Sequence, residues 1–146
     1  MARVKVIIPE NKMALIKIPV RINDINYGNH VGNDAFVSII HEARVQWLSH
    51  HNFTELNVDG VGLIMSDLVL EFKKEAFYGD VIEVELSAGE ISRVGFELYY
   101  QLCTDRNEGS ILLVNAKTGM VCYDYLNKKV APIPDAFRKL LTQSTL

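Results

Sequence analysis

From about Asp34 to His50 the apolar residues Phe36, Ile39, Ile40, Ala43 and Trp47 recur every three or four positions, which is the period of one helix face. Val37 and Val45 lie off that stripe. The widened apolar arc predicts a helix covered on most sides by sheet or by a partner subunit, and Asn33 or Asp34 has the side chain to cap its start. A chain of 146 residues with one such helix must wrap it in something else, and most of the remaining sequence has the pattern of strand.

Ahead of the helix, Ile16, Ile18, Val20 and Ile22 alternate with Lys17, Pro19 and Arg21, a half-buried strand in which Pro19 favours an edge or a strand end. The stretch from Asn23 to Asn33 is dense in residues that turn the chain and accept left-handed backbone, so it is a shaped loop. After a second loop from Asn52 to Gly60, four extended segments follow: about 61–72, 81–88, 94–102 and 111–125. The third alternates most clearly, with Val94, Phe96, Leu98, Tyr100 and Leu102 against Gly95, Glu97, Tyr99 and Gln101, as in antiparallel strands with one wet face. Gly79-Asp80 and Asn107-Glu108-Gly109 provide turns, Gly119 suggests a bulge, and Asp135 to Leu141 reads as a short terminal helix.

Composition narrows the function. The chain is 49% hydrophobic and 23% charged, with a formal charge of −3, values of a soluble globular domain, here expected to be one domain over 1–146. No run approaches the roughly 20 apolar residues of a membrane span. No basic segment leading into an apolar core follows Met1, so the expected address is cytoplasmic, with no membrane partner. Lys and Arg cluster no further than pairs such as Lys73-Lys74, too little for a nucleic-acid footprint. Cys103 and Cys122 are the only cysteines, too few for a disulfide framework or a thiolate metal site, and are read as buried thiols.

The run from Val20 to Phe36 reads Val-Arg-Ile-Asn-Asp-Ile-Asn-Tyr-Gly-Asn-His-Val-Gly-Asn-Asp-Ala-Phe. It resembles the opening motif of the 4-hydroxybenzoyl-CoA thioesterase-like family, which leads from the first strand through a loop into the helix. His41-Glu42-Ala43-Arg44 is similar to that family's Glu-x-Ala-Arg segment. Tyr78-Gly79-Asp80 falls at its turn between the second and third strands, and Val121 to Asp124 with Val130 to Pro134 is like its last strand and Pro-containing exit. The likeness extends from about Ile16 to Leu141. It implies an α+β hot-dog fold, an antiparallel sheet wrapped around one long central helix. It also implies a thioesterase acting on an acyl-CoA or acyl-carrier-protein thioester. The protein would be a homodimer or homotetramer with active sites at the subunit interface, needing no metal or redox cofactor, with coenzyme A entering only as part of the substrate. The sequence departs from the family at two positions: Asn26 stands where the second loop aspartate belongs, and His41, followed by Glu42, stands where the helix glutamate belongs.

Thioester hydrolysis needs donors for the oxyanion, a base for water and a pocket that excludes solvent. Backbone N–H groups near Gly32, Asn33 and Asp34 sit at the positive end of a helix, and Gly32 permits close approach. Asn26 cannot take a proton near neutral pH and is assigned to orient water or the thioester oxygen. His30 or His41 is the candidate base, oriented by Asp34 or Glu42. Each has a structural alternative: Asp34 as a helix cap, Asp24 as a loop-folding side chain, Glu42 and Arg44 as an ion pair or hydrogen-bond network. Asp67, inside the apolar run Leu63 to Leu70, must face water, a partner or an interface cavity, where it could supply a carboxylate across a dimer. Two other functions share these residues: a hydratase or dehydratase using His with a carboxylate, and a non-catalytic acyl-thioester-binding protein.

Overall fold

The computed structural model describes residues 3–143. Strand β1 spans Lys12–Pro19, followed by a 3-10 turn at Ile22–Asp24 and the long helix α1 at Asn33–His50. Strands β2 (Gly62–Phe72), β3 (Val81–Ile91), β4 (Gly95–Arg106), β5 (Gly109–Asp124) and the two-residue β6 (Lys129–Val130) lead to helix α2 (Asp135–Thr142). The sheet order is β1-β3-β4-β5-β2, with β6 beside β5, and every pairing is antiparallel. β1 and β2 therefore lie at opposite ends of the sheet, and Pro19, paired with Val81, ends an edge strand that does not need its missing N–H.

The sheet curls around α1. Val84 and Leu86 of β3, Leu98, Tyr100 and Leu102 of β4, and Val114 and Ala116 of β5 are fully buried against the helix stripe Phe36, Ile39, Ile40, Ala43 and Trp47. α2 closes one end: its Phe137 stacks within 5.4–6.0 Å of Phe96, Phe53 and Trp47. This is the hot-dog arrangement that the motifs implied.

Four local expectations change. β1 begins at Lys12 and ends at Pro19, and Ile22 is exposed in the 3-10 turn, because Asp24 accepts the Arg21 N–H at 2.8 Å and bends the chain out of the strand. Neither Asn33 nor Asp34 caps α1. The N-cap is Gly32, and the Asn33 amide oxygen instead accepts the Asp34 N–H at 2.8 Å. Within one protomer the sheet covers the apolar side of α1, while Asp34, Ser38, His41, Glu42 and Val45 form an open outer face. The bulge lies opposite Gly119, between Met65 and Asp67 of β2. Cys122 is buried as expected, whereas Cys103 is half-buried.

Candidate active site

The loop before α1 is tied down by its own backbone. The Asn26 N–H donates to His30 O at 2.9 Å, Val31 N–H to Ala76 O at 2.8 Å, and Gly32 N–H to Asp24 O at 3.1 Å, while Asn29 takes the left-handed φ of 65° that closes the turn. Asp24, buried at 6% exposure, is spent on the Arg21 N–H and serves the loop. The Asn26 amide oxygen accepts the Gly28 N–H at 2.8 Å, which leaves its NH2 group as the free, hydrogen-donating end. The His30 Nδ1 lies 3.1 Å from Val31 O. A carbonyl can only accept, so Nδ1 carries the hydrogen of this contact, and in the neutral tautomer Nε2 presents the lone pair.

These side chains converge. A Cβ placed on Gly28 would meet His30 Nε2 at 3.0 Å and Asn26 Oδ1 at 3.2 Å. One placed on Gly32 would meet Asp34 Oδ1 at 2.6 Å and Asn26 Cβ at 3.5 Å. Asn26, His30, Gly32 and Asp34 thus form one cluster at the start of α1. There Asn33, the first helical residue, has an N–H with no carbonyl behind it in the helix. Beside the cluster a hollow of about 290 Å³ is lined by His30, Val31, Asn33, Phe36, Phe72 and Lys73, with the Phe36 and Phe72 rings 5.9 Å apart.

His41 and Glu42 are not part of this cluster. They lie on the open face of α1, eight residues or more beyond Asn33, about 12 Å along the axis at 1.5 Å per residue. A groove of about 450 Å³ runs past them, bordered by Ile18, Arg21, Asp24 and Val45. His41 Nε2 lies 2.6 Å from Glu55 Oε1. The other oxygen of Glu55 accepts Arg44 Nε at 2.7 Å. Arg44, buried at 6% exposure, also donates to Tyr100 Oη at 3.0 Å, and Tyr100 Oη meets Thr118 Oγ1 at 2.8 Å inside the core. Burial works to raise the Glu55 pKa, but the hydrogen bonds and charges of Arg44 and His41 prevail and hold it below the ordinary value; burial pushes the Tyr100 phenol up. The network foreseen around Arg44 exists, but with Glu55 as its acid. Glu42 accepts instead from Gln46 at 2.7 Å. The sequence reading missed Glu55. Its one signal was the demand of a buried guanidinium for a carboxylate, which names no position in the 52–60 loop.

Asp67 stands apart from both groups. It bonds Lys117 Nζ and the Gly119 N–H, each at 2.9 Å, and shares a hollow with Glu97 and Lys117, side chains that alternate with core-facing Leu98 and Thr118. It therefore faces away from α1. The Lys117 hydrogen bond, helped by the Gly119 N–H and opposed by slight burial, lowers its pKa. Among the described residues no group of three or more His, Cys, Asp and Glu could hold a metal ion, and no helix is long and apolar enough to cross a membrane.

A curled antiparallel sheet around one helix, with polar side chains and free N–H groups gathered at the helix start, is the arrangement of a thioesterase. The chain belongs to the thioesterase-like superfamily, which matches residues 20–141. Among its relatives, a 1,4-dihydroxy-2-naphthoyl-CoA hydrolase of Synechocystis is 30% identical over 106 residues, 70% of this chain and 75% of that one. The Escherichia coli acyl-CoA thioester hydrolase YbgC is 24% identical over 124 residues, 82% of this chain and 90% of that one. The crystal structure of a Synechocystis 1,4-dihydroxy-2-naphthoyl-CoA thioesterase superposes with a TM-score of 0.76 at 25% identity, covering 87% of this chain and 93% of that one. The 4-hydroxybenzoyl-CoA thioesterase of a Pseudomonas strain shares the fold with a TM-score of 0.76 at 16% identity over 87% and 97%.

Proposed function

We propose that this protein hydrolyses acyl-CoA thioesters as a homodimer, each site combining the helix start of one protomer with His41 of the second. The observation that carries the reading is the open face of α1, which bears both halves about 12 Å apart, too far to serve one carbonyl within a protomer. Support for the substrate comes from the relatives named as acyl-CoA hydrolases and from the apolar, aromatic hollow beside Asn33.

In this mechanism the Asn33 N–H and the Asn26 NH2 group hold the thioester oxygen while the acyl group lies against Phe36 and Phe72. The His41 imidazole removes a proton from water as the water oxygen bonds to the carbonyl carbon. The oxyanion collapses, the carbon–sulfur bond breaks, and the leaving thiolate takes the proton back, giving a carboxylic acid and free coenzyme A. No cofactor enters beyond the coenzyme A carried by the substrate. His41 is assigned as base in preference to His30 because protonating His30 would put positive charge against the positive end of α1. His30, held through Nδ1, presents Nε2 to bound substrate. The space a side chain would take at Gly32 holds the Asp34 carboxylate, so Asp34 borders the site on that side.

The test is thiol release from a panel of short, long and aromatic acyl-CoA esters, followed by a mixing experiment with Asn26→Ala and His41→Ala. Each variant alone is expected to be inactive. After the subunits are exchanged, about one quarter of wild-type activity should return, because half the dimers pair the two variants and each of those regains one intact site. No recovery in mixed dimers would refute the shared site. Saturable acyl-CoA binding without turnover of any ester would make the protein a binding module.

A further inference from the structure

A histidine base needs one ring nitrogen free and the other held, because the held nitrogen decides where the lone pair points. Glu55 meets that need for His41. We infer that Glu55, anchored through Arg44, Tyr100 and Thr118, is the positioning residue that fixes His41 as the Nε2–H tautomer with Nδ1 as its proton acceptor; this rests on the hydrolase reading above.

The argument is geometric. Glu55 uses both oxygens: Oε1 on His41 Nε2 at 2.6 Å and Oε2 on Arg44 Nε at 2.7 Å. An ionised carboxylate only accepts, so the hydrogen between Glu55 and His41 belongs to Nε2. Glu55 cannot swing away without leaving a buried guanidinium, and Arg44 is itself held by the Tyr100 hydroxyl at 3.0 Å. Thr118, fully buried on β5, fixes that hydroxyl at 2.8 Å. A side chain on the open face of α1 is thereby locked, through four consecutive polar contacts, to the rigid centre of the sheet. The other charged groups bordering the His41 groove are Arg21 and Asp24 from the 3-10 turn and Glu42 from α1. Asp24 is committed to the Arg21 N–H and Glu42 to Gln46. As Nδ1 takes the proton from water, the imidazolium forms with a carboxylate already in contact, so its charge develops next to a fixed opposite charge.

The test has two arms. Long-range nitrogen-15 spectra of the wild-type protein above pH 8, with the His41 signals assigned by their loss in His41→Gln, are expected to show the Nε2–H tautomer. A predominant Nδ1–H form would overturn the proposal without reference to activity. In the second arm Glu55→Gln, which keeps an acceptor but loses the charge, is expected to lower kcat on the order of 100-fold while KM stays within about twofold. A structural role alone would lower the folded fraction and leave kcat per folded site unchanged, and that result would overturn the positioning role. Absence of turnover from wild type with every ester would instead refute the hydrolase reading, and the dyad's part in catalysis with it.

Discussion

The ion pair between Arg44 and Glu55 is unequal in burial, and its two halves should differ in what their loss costs. The Arg44 side chain is 7% exposed and that of Glu55 26%. Glu55→Ala strands a guanidinium that, among the described residues, keeps the Tyr100 hydroxyl. Breaking a buried pair in this way costs roughly 3–5 kcal/mol, and partial access to water through the Glu55 side brings the expectation to about 3 kcal/mol. Arg44→Met keeps the volume, leaves Tyr100 bonded to Thr118, and leaves Glu55 free to hydrate while still facing His41, for about 1 kcal/mol. The double variant has no charge left to strand and should cost no more than Arg44→Met alone, a coupling of about 3 kcal/mol. Urea unfolding at one fixed protein concentration measures this, with Glu55→Ala moving the midpoint down by about 2 M for a chain of this size and Arg44→Met by under 1 M. Arg44→Met costing as much as Glu55→Ala, or singles that add, would refute the claim that the buried guanidinium governs the pair.

Gly119→Ala would set a Cβ 2.7 Å from Asp67 Oδ2 and 2.8 Å from Ser66 Oγ, pushing the carboxylate off the Gly119 N–H. A loss of about 1–2 kcal/mol in urea unfolding is expected, and a neutral result would show that the β2 bulge is free to shift. Asp80 bonds Arg106 at 2.7 Å and the Phe77 N–H at 2.8 Å, and although burial works to raise its pKa, these contacts lower it. Its stabilisation is therefore present above the ordinary carboxylate value near pH 4 and is lost as pH falls through the lowered folded value. The gap in urea midpoint between wild type and Asp80→Asn should hold from pH 7 to 5 and close below about pH 4. Burial pushes the Cys122 thiol up to about 11 and raises that of Cys103 less. At pH 8 a disulfide reagent should label Cys103 before Cys122 in the native protein and both at once after unfolding, and early labelling of Cys122 would contradict its burial.

What could be read in advance follows how far apart along the chain the interacting residues lie. The α1 stripe and the alternation of β4 are local patterns, and the buried residues fall where the periods put them. The start of β1 was hidden because its register shifts between Lys12 and Ala14, while Leu15 is exposed beside buried Met13 and Ile16, so no apolar alternation is visible there. The loop cluster was legible because Asn26, His30, Gly32 and Asp34 lie within one short turn-rich stretch. Glu55 was not, because its partners are 14 residues away at His41 and 11 away at Arg44, across a loop with no period. Asp67 shows the limit of pattern reading in another way. A carboxylate in an apolar run had to face water, a partner or an interface cavity; within the protomer it is half-exposed, and alternation alone could not say that its side of the sheet faces away from α1.

His41 and Glu55 are also constrained as a pair, which yields a last prediction. With 2.6 Å between Nε2 and Oε1, a carboxylate at position 41 would be pressed against another, and two carboxylates about 3 Å apart cannot both stay ionised. His41→Glu should therefore be inactive and destabilised by about 1–2 kcal/mol, although it restores the acid that the thioesterase-like motif has on this helix. Changing Glu55→Gln in the same chain removes the conflict: the amide donates to the new carboxylate, and Arg44, three residues along α1, becomes its counter-charge. The double variant should regain both stability and thioester hydrolysis relative to His41→Glu, measured by urea midpoint and thiol release from the best ester of the panel. If His41→Glu alone proves as stable and as active as the double variant, the residue at position 41 acts independently of Glu55, and the two are neighbours with no shared role.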